Sequence, residues 1–350
     1  MPETFADRLL DWFDRHGRRG LPWQDPRTPY RVWLSEVMLQ QTQVAAAIPY
    51  FLRFVERFPS VAALAGAATD EVLQYWAGLG YYARARNLHR AAQQIVARHA
   101  GELPQDLEAL TALPGIGRST AAAILAQAHG LRFAILDANV KRVLARYGAV
   151  PGWPGSPAVA RPLWALAESL LPQDRLADYT QAMMDLGATL CTARNPACRS
   201  CPVSAGCRAH ASQSVALYPQ PKPRRARPLR EAQLLLVEDG NGALLFERRP
   251  PAGIWGGLWC LPIAESSEDA AEVLHSRYGL SASPAGTLPP VRHGFTHFDY
   301  SLSPRRLHAA PAAEALAEHA ALRWINIASE PLPGLPAPIA KLLRQLRQPQ

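Results

Sequence analysis

Apolar positions recur with a helical period through the first half of the chain. Phe5, Leu9, Trp12 and Phe13 form one stripe over residues 5–16, as a helix with one buried face requires. Leu21-Pro22-Trp23 reads as a loop carrying an aromatic. Thr28 can N-cap the next helix with Pro29 at its first position, and that helix runs from Tyr30 to about Gln40. Further helices are expected over 42–57, with Thr42 as cap, and over 70–77. Gly78-Leu79-Gly80-Tyr81-Tyr82 breaks the pattern before a long helix from Ala83 to about Ala100. The pattern changes past residue 230. Gln233–Val237 and Ala243–Glu247 alternate as strands around an Asp239-Gly240-Asn241-Gly242 turn. A helix near Ser267–Tyr278, strands near Val291–Leu302 and Leu322–Ile327, and a last helix from Pro338 complete a mixed α/β half.

One polar residue is out of place in this pattern. Glu36 has Val32, Trp33 and Leu39 as helical neighbours, and no Lys or Arg stands three or four positions away. If that face is buried, desolvation raises the carboxyl pKa and makes it a neutral-pH acid. A solvated face, or an arginine from elsewhere in the fold, would leave it ordinary.

Residues 106–137 combine several signals. Asp106 can cap a short helix to about Ala112, and Leu113-Pro114-Gly115-Ile116-Gly117 makes a tight turn with open amides. A second helix opens at Arg118-Ser119-Thr120 and ends at Gly130. A helix N-terminus behind a glycine turn binds phosphate well, although glycine-proline turns also serve as plain connections. The apolar run Phe133–Leu136 then delivers one carboxylate, Asp137.

Composition sharpens the class. The 350 residues suit one large or two ordinary domains, 48% hydrophobic content supports real cores, and a net charge of +8 is compatible with an anionic partner. No apolar run is long enough for a bilayer and the N-terminus lacks a signal-peptide pattern, so a soluble, intracellular (cytoplasmic) protein is expected. Four of the five cysteines, Cys191, Cys198, Cys201 and Cys207, are spaced C-x6-C-x2-C-x5-C. Such clustering indicates a metal centre rather than disulfides, and four thiolates on one short loop favour a [4Fe–4S] cluster over zinc. Arg194, Arg199 and Arg208 stud the same loop. Residues 218–230, rich in proline and arginine, read as an extended linker. Cys260 is expected to be a buried apolar residue.

The glycine turn with Asp137, the segment SEVMLQQTQV and the cysteine spacing together resemble the helix-hairpin-helix DNA glycosylase superfamily that includes endonuclease III. Over nearly its whole length the chain resembles the MutY family of adenine glycosylases. The resemblance implies two domains: an all-α helix-hairpin-helix glycosylase domain with an iron–sulfur loop, then an α/β Nudix-like domain. Their expected extents are 1–217, with the hairpin at about 106–130 and the cluster loop at 191–207, and 231–350.

The resemblance also assigns residues. Glu36 becomes the general acid, Asp137 the carboxylate that stabilises an oxocarbenium-like sugar, and Asn139 a partner that holds Asp137. Gln41 fills the space left by an extruded base, Tyr82 wedges beside the opposite base, and Gly115, Gly117 and Ser119 belong to the phosphate-binding hairpin. Gln181 and Trp23 fall in the adenine pocket. Ser119 stands where strand-cutting relatives carry a Schiff-base lysine, which implies a monofunctional enzyme. In the second half the metal-binding glutamates of the Nudix helix fall on Ser276 and Arg277, and the preceding Arg-Glu falls on Glu272-Val273, so no pyrophosphatase is expected. Phe295, Thr296 and His297 match a loop that reads 8-oxoguanine. The implied partner is duplex DNA with A:8-oxoG or A:G mispairs. A glycosylase/lyase for oxidised pyrimidines and a non-catalytic redox-sensing DNA binder are the rival readings.

Overall fold

The computed structural model describes residues 3–223, 226–250, 253–295, 297–309 and 321–347. It divides into two compact units: Met1–Tyr75 with Arg84–Arg224, and Trp76–Ala83 with Arg225–Gln350.

The first unit is helical. Helix α1 (Phe5–His16) starts at a capping box, in which Thr4 and Asp7 exchange side-chain and backbone hydrogen bonds, and buries Phe5, Leu9, Trp12 and Phe13. Thr28 caps α2 (Pro29–Leu39) by accepting from the Arg31 N–H. The start of α3 (Val44–Arg57) departs from expectation. Its N-cap is Gln43, with no side-chain cap bond, and Thr42 Oγ1 instead receives the Arg84 guanidinium at 3.3 Å. That guanidinium also donates to the Val37, Met38 and Gln40 carbonyls. It thereby closes the C-terminal end of α2, a contact between distant segments that local spacing does not report. Helices α4 (Val61–Gly66), α5 (Thr69–Trp76) and α6 (Ala83–Arg98) follow.

Asp106 caps α7 (Leu107–Thr111), and α8 (Arg118–His129) ends at Gly130 in the left-handed region. Asp137 caps α9 (Ala138–Tyr147). Helices α10 (Pro157–Ser169) and α11 (Leu176–Asp185) lead through a π-helical turn, Leu186–Leu190, to the cysteine loop and the short α12 (Arg208–Ala211). Helices α1, α8, α9, α10 and α11 share one core around Leu9, Phe13, Leu144, Leu163 and Met183. Among the described residues no helix is long and apolar enough to cross a membrane.

The second unit is built on a sheet. Strands β1 (Leu229–Glu238), β2 (Leu244–Arg248), β3 (Trp259–Cys260), β4 (Ile263–Glu265), β5 (Ala282–Thr287), β6 (Val291–Gly294), β7 (Asp299–Ala309) and β8 (Leu322–Ile325) accompany α13 (Ala270–Tyr278) and α14 (Ala337–Arg347). The main path runs β3-β2-β1-β7-β5, with β1 and β7 parallel from Leu229↔Asp299 to Glu238↔His308. One core holds Phe246, Trp259, Cys260, Leu302 and Ile339, and the other holds Leu235, Val237, Leu245, Leu274 and Leu307. Two expectations change here. The strand expected over Val291–Leu302 is two antiparallel strands, β6 and β7, with Phe295 and His297 in their connection. Thr296 lies outside the described residues. No strand is expected over Ala282–Thr287, yet this segment, with Pro284 and Gly286, forms β5. It lies at the sheet edge with an irregularity between those two residues, where proline and glycine are tolerated.

Candidate active site and cysteine loop

Helix α2 packs on α8 and presents Glu36 among apolar neighbours, Val32 and Trp33 being 1% and 0% exposed. The Gln127 amide of α8 donates to Glu36 Oε1 at 3.0 Å. Burial, then the nearby Asp137 carboxylate, push the Glu36 carboxyl up to about 7, against the Gln127 hydrogen bond. Among the described residues no arginine is paired with it; its bonded partner is an uncharged amide.

Asp137 lies near enough for its charge to act on Glu36. Its backbone is extended, as an N-cap requires, and Oδ1 accepts the Val140 N–H at 2.7 Å. Burial raises its pKa, while the Val140 and Asn139 N–H groups, Arg142 and Lys141 oppose that rise. Asp137 acts on Glu36 as a negative charge, so it is the member of the pair that ionises first. The segment leading to it is tied down by Ser119, whose Oγ accepts the Leu136 N–H at 2.9 Å.

The hairpin has two different glycines. Gly115 has φ +80°, and a Cβ there would meet Asn87 Cβ of α6 at 2.8 Å. Gly117 caps α8 with extended backbone, and the place where its Cβ would be is open. The turn is closed behind and open in front.

Other expected residues fall differently. Gln41 is exposed and sits at φ 59°, which turns it out of the α2–α3 junction. Tyr82 is not the exposed tyrosine: its hydroxyl donates to the Leu335 carbonyl at 3.1 Å, whereas Tyr81 is 53% exposed at φ 50°. Trp23 is only 3% exposed and packs edge-on to Phe51, so it lies in the core rather than on an open pocket wall. Gln181, also 3% exposed, donates to Asp185 Oδ1 at 2.7 Å, and Asp185 pairs with Arg18. Asn139 does not cap a turn. It lies in the first turn of α9, against Gly187, where its Oδ1 accepts from Arg142 Nη2 at 2.8 Å.

Two arginines of α9 escaped sequence reading. Arg142 donates to Asn139 Oδ1 and to the Gly187 and Cys191 carbonyls. Arg146, 4% exposed, reaches Cys191 Sγ at 3.3 Å and the Thr192 carbonyl at 2.7 Å. Their one-turn spacing on a helix that Asp137 caps was the available signal. The same helix thus carries Asp137 at its head and holds the cysteine loop along its side. Cys191, Cys198, Cys201 and Cys207 are free thiols and line one cavity of about 30 Å³ with Arg146, Tyr147 and Leu186. Burial and the three neighbouring cysteines push Cys201 up to about 11. Thiols packed this way resist carrying negative charge together unless a cationic centre lies between them, so the donor set fits a cluster. Among the described residues no group of His, Cys, Asp or Glu forms a single-ion site.

In the second unit, Trp255, His293, Phe295, Phe298 and Tyr300 form an aromatic group, with His293 and Phe295 ring centroids 4.6 Å apart. Arg230 lies over Phe298 at 4.3 Å. His297 is exposed in the β6–β7 connection. Arg277 does not face an open metal site; it pairs with Glu268 at 2.7 Å.

A glycine hairpin between α7 and α8, with an acid pair at Glu36 and Asp137, is the arrangement expected of a helix-hairpin-helix base-excision DNA glycosylase. The family model for HhH-GPD superfamily base excision DNA repair proteins matches residues 34–169, and a NUDIX domain model matches 233–345. A thermostable thymine-DNA glycosylase of known structure is 26% identical with a TM-score of 0.53, covering 59% of this chain and 95% of that one. The chain belongs to the adenine DNA glycosylase family: it is 34% identical to the adenine DNA glycosylase of Buchnera aphidicola subsp. Acyrthosiphon pisum over 98% of both chains. It is also 34% identical to that of Mus musculus, over 89% of this chain and 72% of the relative.

Proposed function

We propose that this enzyme hydrolyses the N-glycosidic bond of adenine mispaired with 8-oxoguanine, or with G, in duplex DNA and stops at the abasic site. The observation that carries the reading is the acid pair. Glu36 is held protonated to about pH 7 beside an Asp137 that ionises first. Cleavage passes through an oxocarbenium-like state, which needs a proton for the departing base and a negative charge under the sugar. Glu36 gives its proton to a ring nitrogen of adenine, so the base leaves neutral. Asp137 stabilises the cationic sugar. The Glu36 carboxylate then takes a proton from the attacking water, and the sugar is left with a hydroxyl at C1′.

The base must first leave the stack, which costs a few kcal/mol. The open hairpin at Gly115, Gly117 and the α8 N-terminus holds a backbone phosphate. Gln41, turned outward, fills the vacated space. Tyr82, next to the exposed Tyr81, is the tyrosine that wedges beside the opposite base. Gln181 borders the adenine pocket through Asp185, and Asn139 steadies the first turn of α9 beneath Asp137. Cys191, Cys198, Cys201 and Cys207 would hold a [4Fe–4S] cluster that stiffens their loop and takes no part in the hydrolysis. The β6–β7 connection, Phe295 to His297, reads 8-oxoguanine. The protein works as a monomer inside the cell.

Ser119 supports the monofunctional reading over a glycosylase/lyase, because its hydroxyl is engaged with the Leu136 N–H and cannot form a Schiff base. The test is base release from duplexes carrying A:8-oxoG, A:G or thymine glycol, run with iron and acid-labile sulfide analysis. We expect adenine release from the first two and none from the third, abasic product without strand cleavage, and about four iron and four sulfide per chain. Release from thymine glycol with cleavage at a matching rate would favour the lyase.

A further inference from the structure

We propose that Gln127 is a positioning residue for the acid: its carboxamide donates to Glu36 Oε1 and so leaves the transferable proton on Oε2. This rests on the reading of Glu36 as the general acid. Gln127 lies on α8, between the hairpin and the extended segment that leads to Asp137. It is 5% exposed and otherwise among fully buried side chains, Ile124, Leu125 and Ala126 being 0%. A polar amide is costly at such a place unless it is bonded, and its bond is to Glu36, 91 residues away, at 3.0 Å.

A carboxylic acid has one good acceptor, its carbonyl oxygen, and one donor. An N–H aimed at Oε1 makes that atom the carbonyl, so the O–H form sits on the other oxygen. It also restricts rotation of a carboxyl that no cation holds. Proton transfer needs the donor in line with its acceptor, and a free carboxyl would spread its proton over two oxygens and several orientations.

The charged surroundings of Glu36 are few. On α2 itself, Arg31 donates to the Pro22 carbonyl and lies over the Phe51 ring of α3. Arg84 of α6 is bound to the last carbonyls of α2. On α3, Arg57 pairs with Glu71, and Arg53 lies over Tyr50 near Glu56 at the same surface. On α8, Arg118 pairs with Glu168 at the far end, and His129 is at the C-terminus. Asp137, with Lys141 and Arg142 beyond it, is the charge that acts on Glu36. Gln127 works against Asp137: it favours the anion, where Asp137 disfavours it.

The experiment compares wild type with Gln127→Met, which keeps shape and removes the donor, and with Gln127→Leu as the second variant, each checked by thermal melting. Single-turnover adenine release from an A:8-oxoG duplex is followed from pH 5.5 to 9. We expect the plateau rate to fall about tenfold and the descending limb to move up by about one pH unit, as loss of a bond to the anion requires. A limb that stays in place, or moves down, overturns the proposal whatever happens to the plateau, since a purely structural amide would change the rate and the melting temperature alone. If wild type itself releases no adenine, the proposed function fails instead, and the two failures are distinguishable.

Discussion

The acid pair of the helical unit and the ion-paired acids of the sheet unit are treated in opposite ways. In the helical unit, Glu36 and Asp137 are bonded to an amide and to a backbone N–H, not to cations, and burial raises both. In the sheet unit several acids are matched by cations. Glu247 pairs with Arg249 and accepts the Tyr278 hydroxyl at 2.6 Å each, Glu268 pairs with Arg277, and Asp299 with Arg227. A matched acid stabilises a fold and is chemically quiet. An unmatched, partly desolvated pair stores free energy that a reaction can use. The contrast also explains α13: Arg277, standing where a metal-binding glutamate would be expected, is itself occupied by Glu268.

The largest effect that sharpens this contrast is on rate. Glu36→Gln should lower single-turnover adenine release by about 10³-fold or more, and Asp137→Asn by about 10³-fold. Asparagine can still cap α9 at the Val140 N–H, so the second variant should melt close to wild type. Glu247→Gln should leave the rate within about twofold and instead lower stability by about 1–2 kcal/mol. A loss of release from Glu247→Gln as large as that from Glu36→Gln would erase the distinction between the units.

The next effect is on pH. Glu36 must hold its proton to act, so release should decline as pH rises through about 7, by about tenfold per unit above it. The same shift sets a stability effect. The folded carboxyl holds its proton more tightly than the unfolded one, so its contribution is complete below the ordinary glutamate value of 4.5 and is lost as pH rises to about 7. Glu36→Gln removes that loss. At pH 8 the variant should therefore be more stable than wild type by about 1–3 kcal/mol, and the gain should vanish near pH 4.5 in denaturant titrations. Equal stability at pH 8 would mean that Glu36 is solvated and not a stored cost.

Much of this was legible because the relevant physics is local. The stripe of α1, the Thr28 and Asp106 caps, the Gly130 terminus and the lack of a local cation for Glu36 all follow from residues within one or two turns. What escaped depends on distant pairs. Arg84 displaces the start of α3, Arg142 and Arg146 hold the cysteine loop from α9, and Gln127 reaches Glu36 across two helices. The bond from the Tyr82 hydroxyl to the Leu335 carbonyl was equally hidden, since its partner is 253 residues away. Strand β5 was missed because edge position, a tertiary property, excuses its proline and glycine.

The smallest effect concerns Ser119. Its hydroxyl accepts the N–H of Leu136, the residue before Asp137, and so fixes the chain that delivers the carboxylate. Ser119→Ala leaves that N–H without its partner, which should cost about 1 kcal/mol of stability. The resulting slack at Asp137 should lower adenine release by about threefold, and Ser119→Thr, which keeps the acceptor, should restore most of both. A serine acting in the chemistry would behave otherwise: Ser119→Ala would approach the loss seen for Asp137→Asn with little change in melting. That outcome would add a third reactive group to the helical unit, and the contrast between unmatched acids and matched ones would no longer explain where the activity lies.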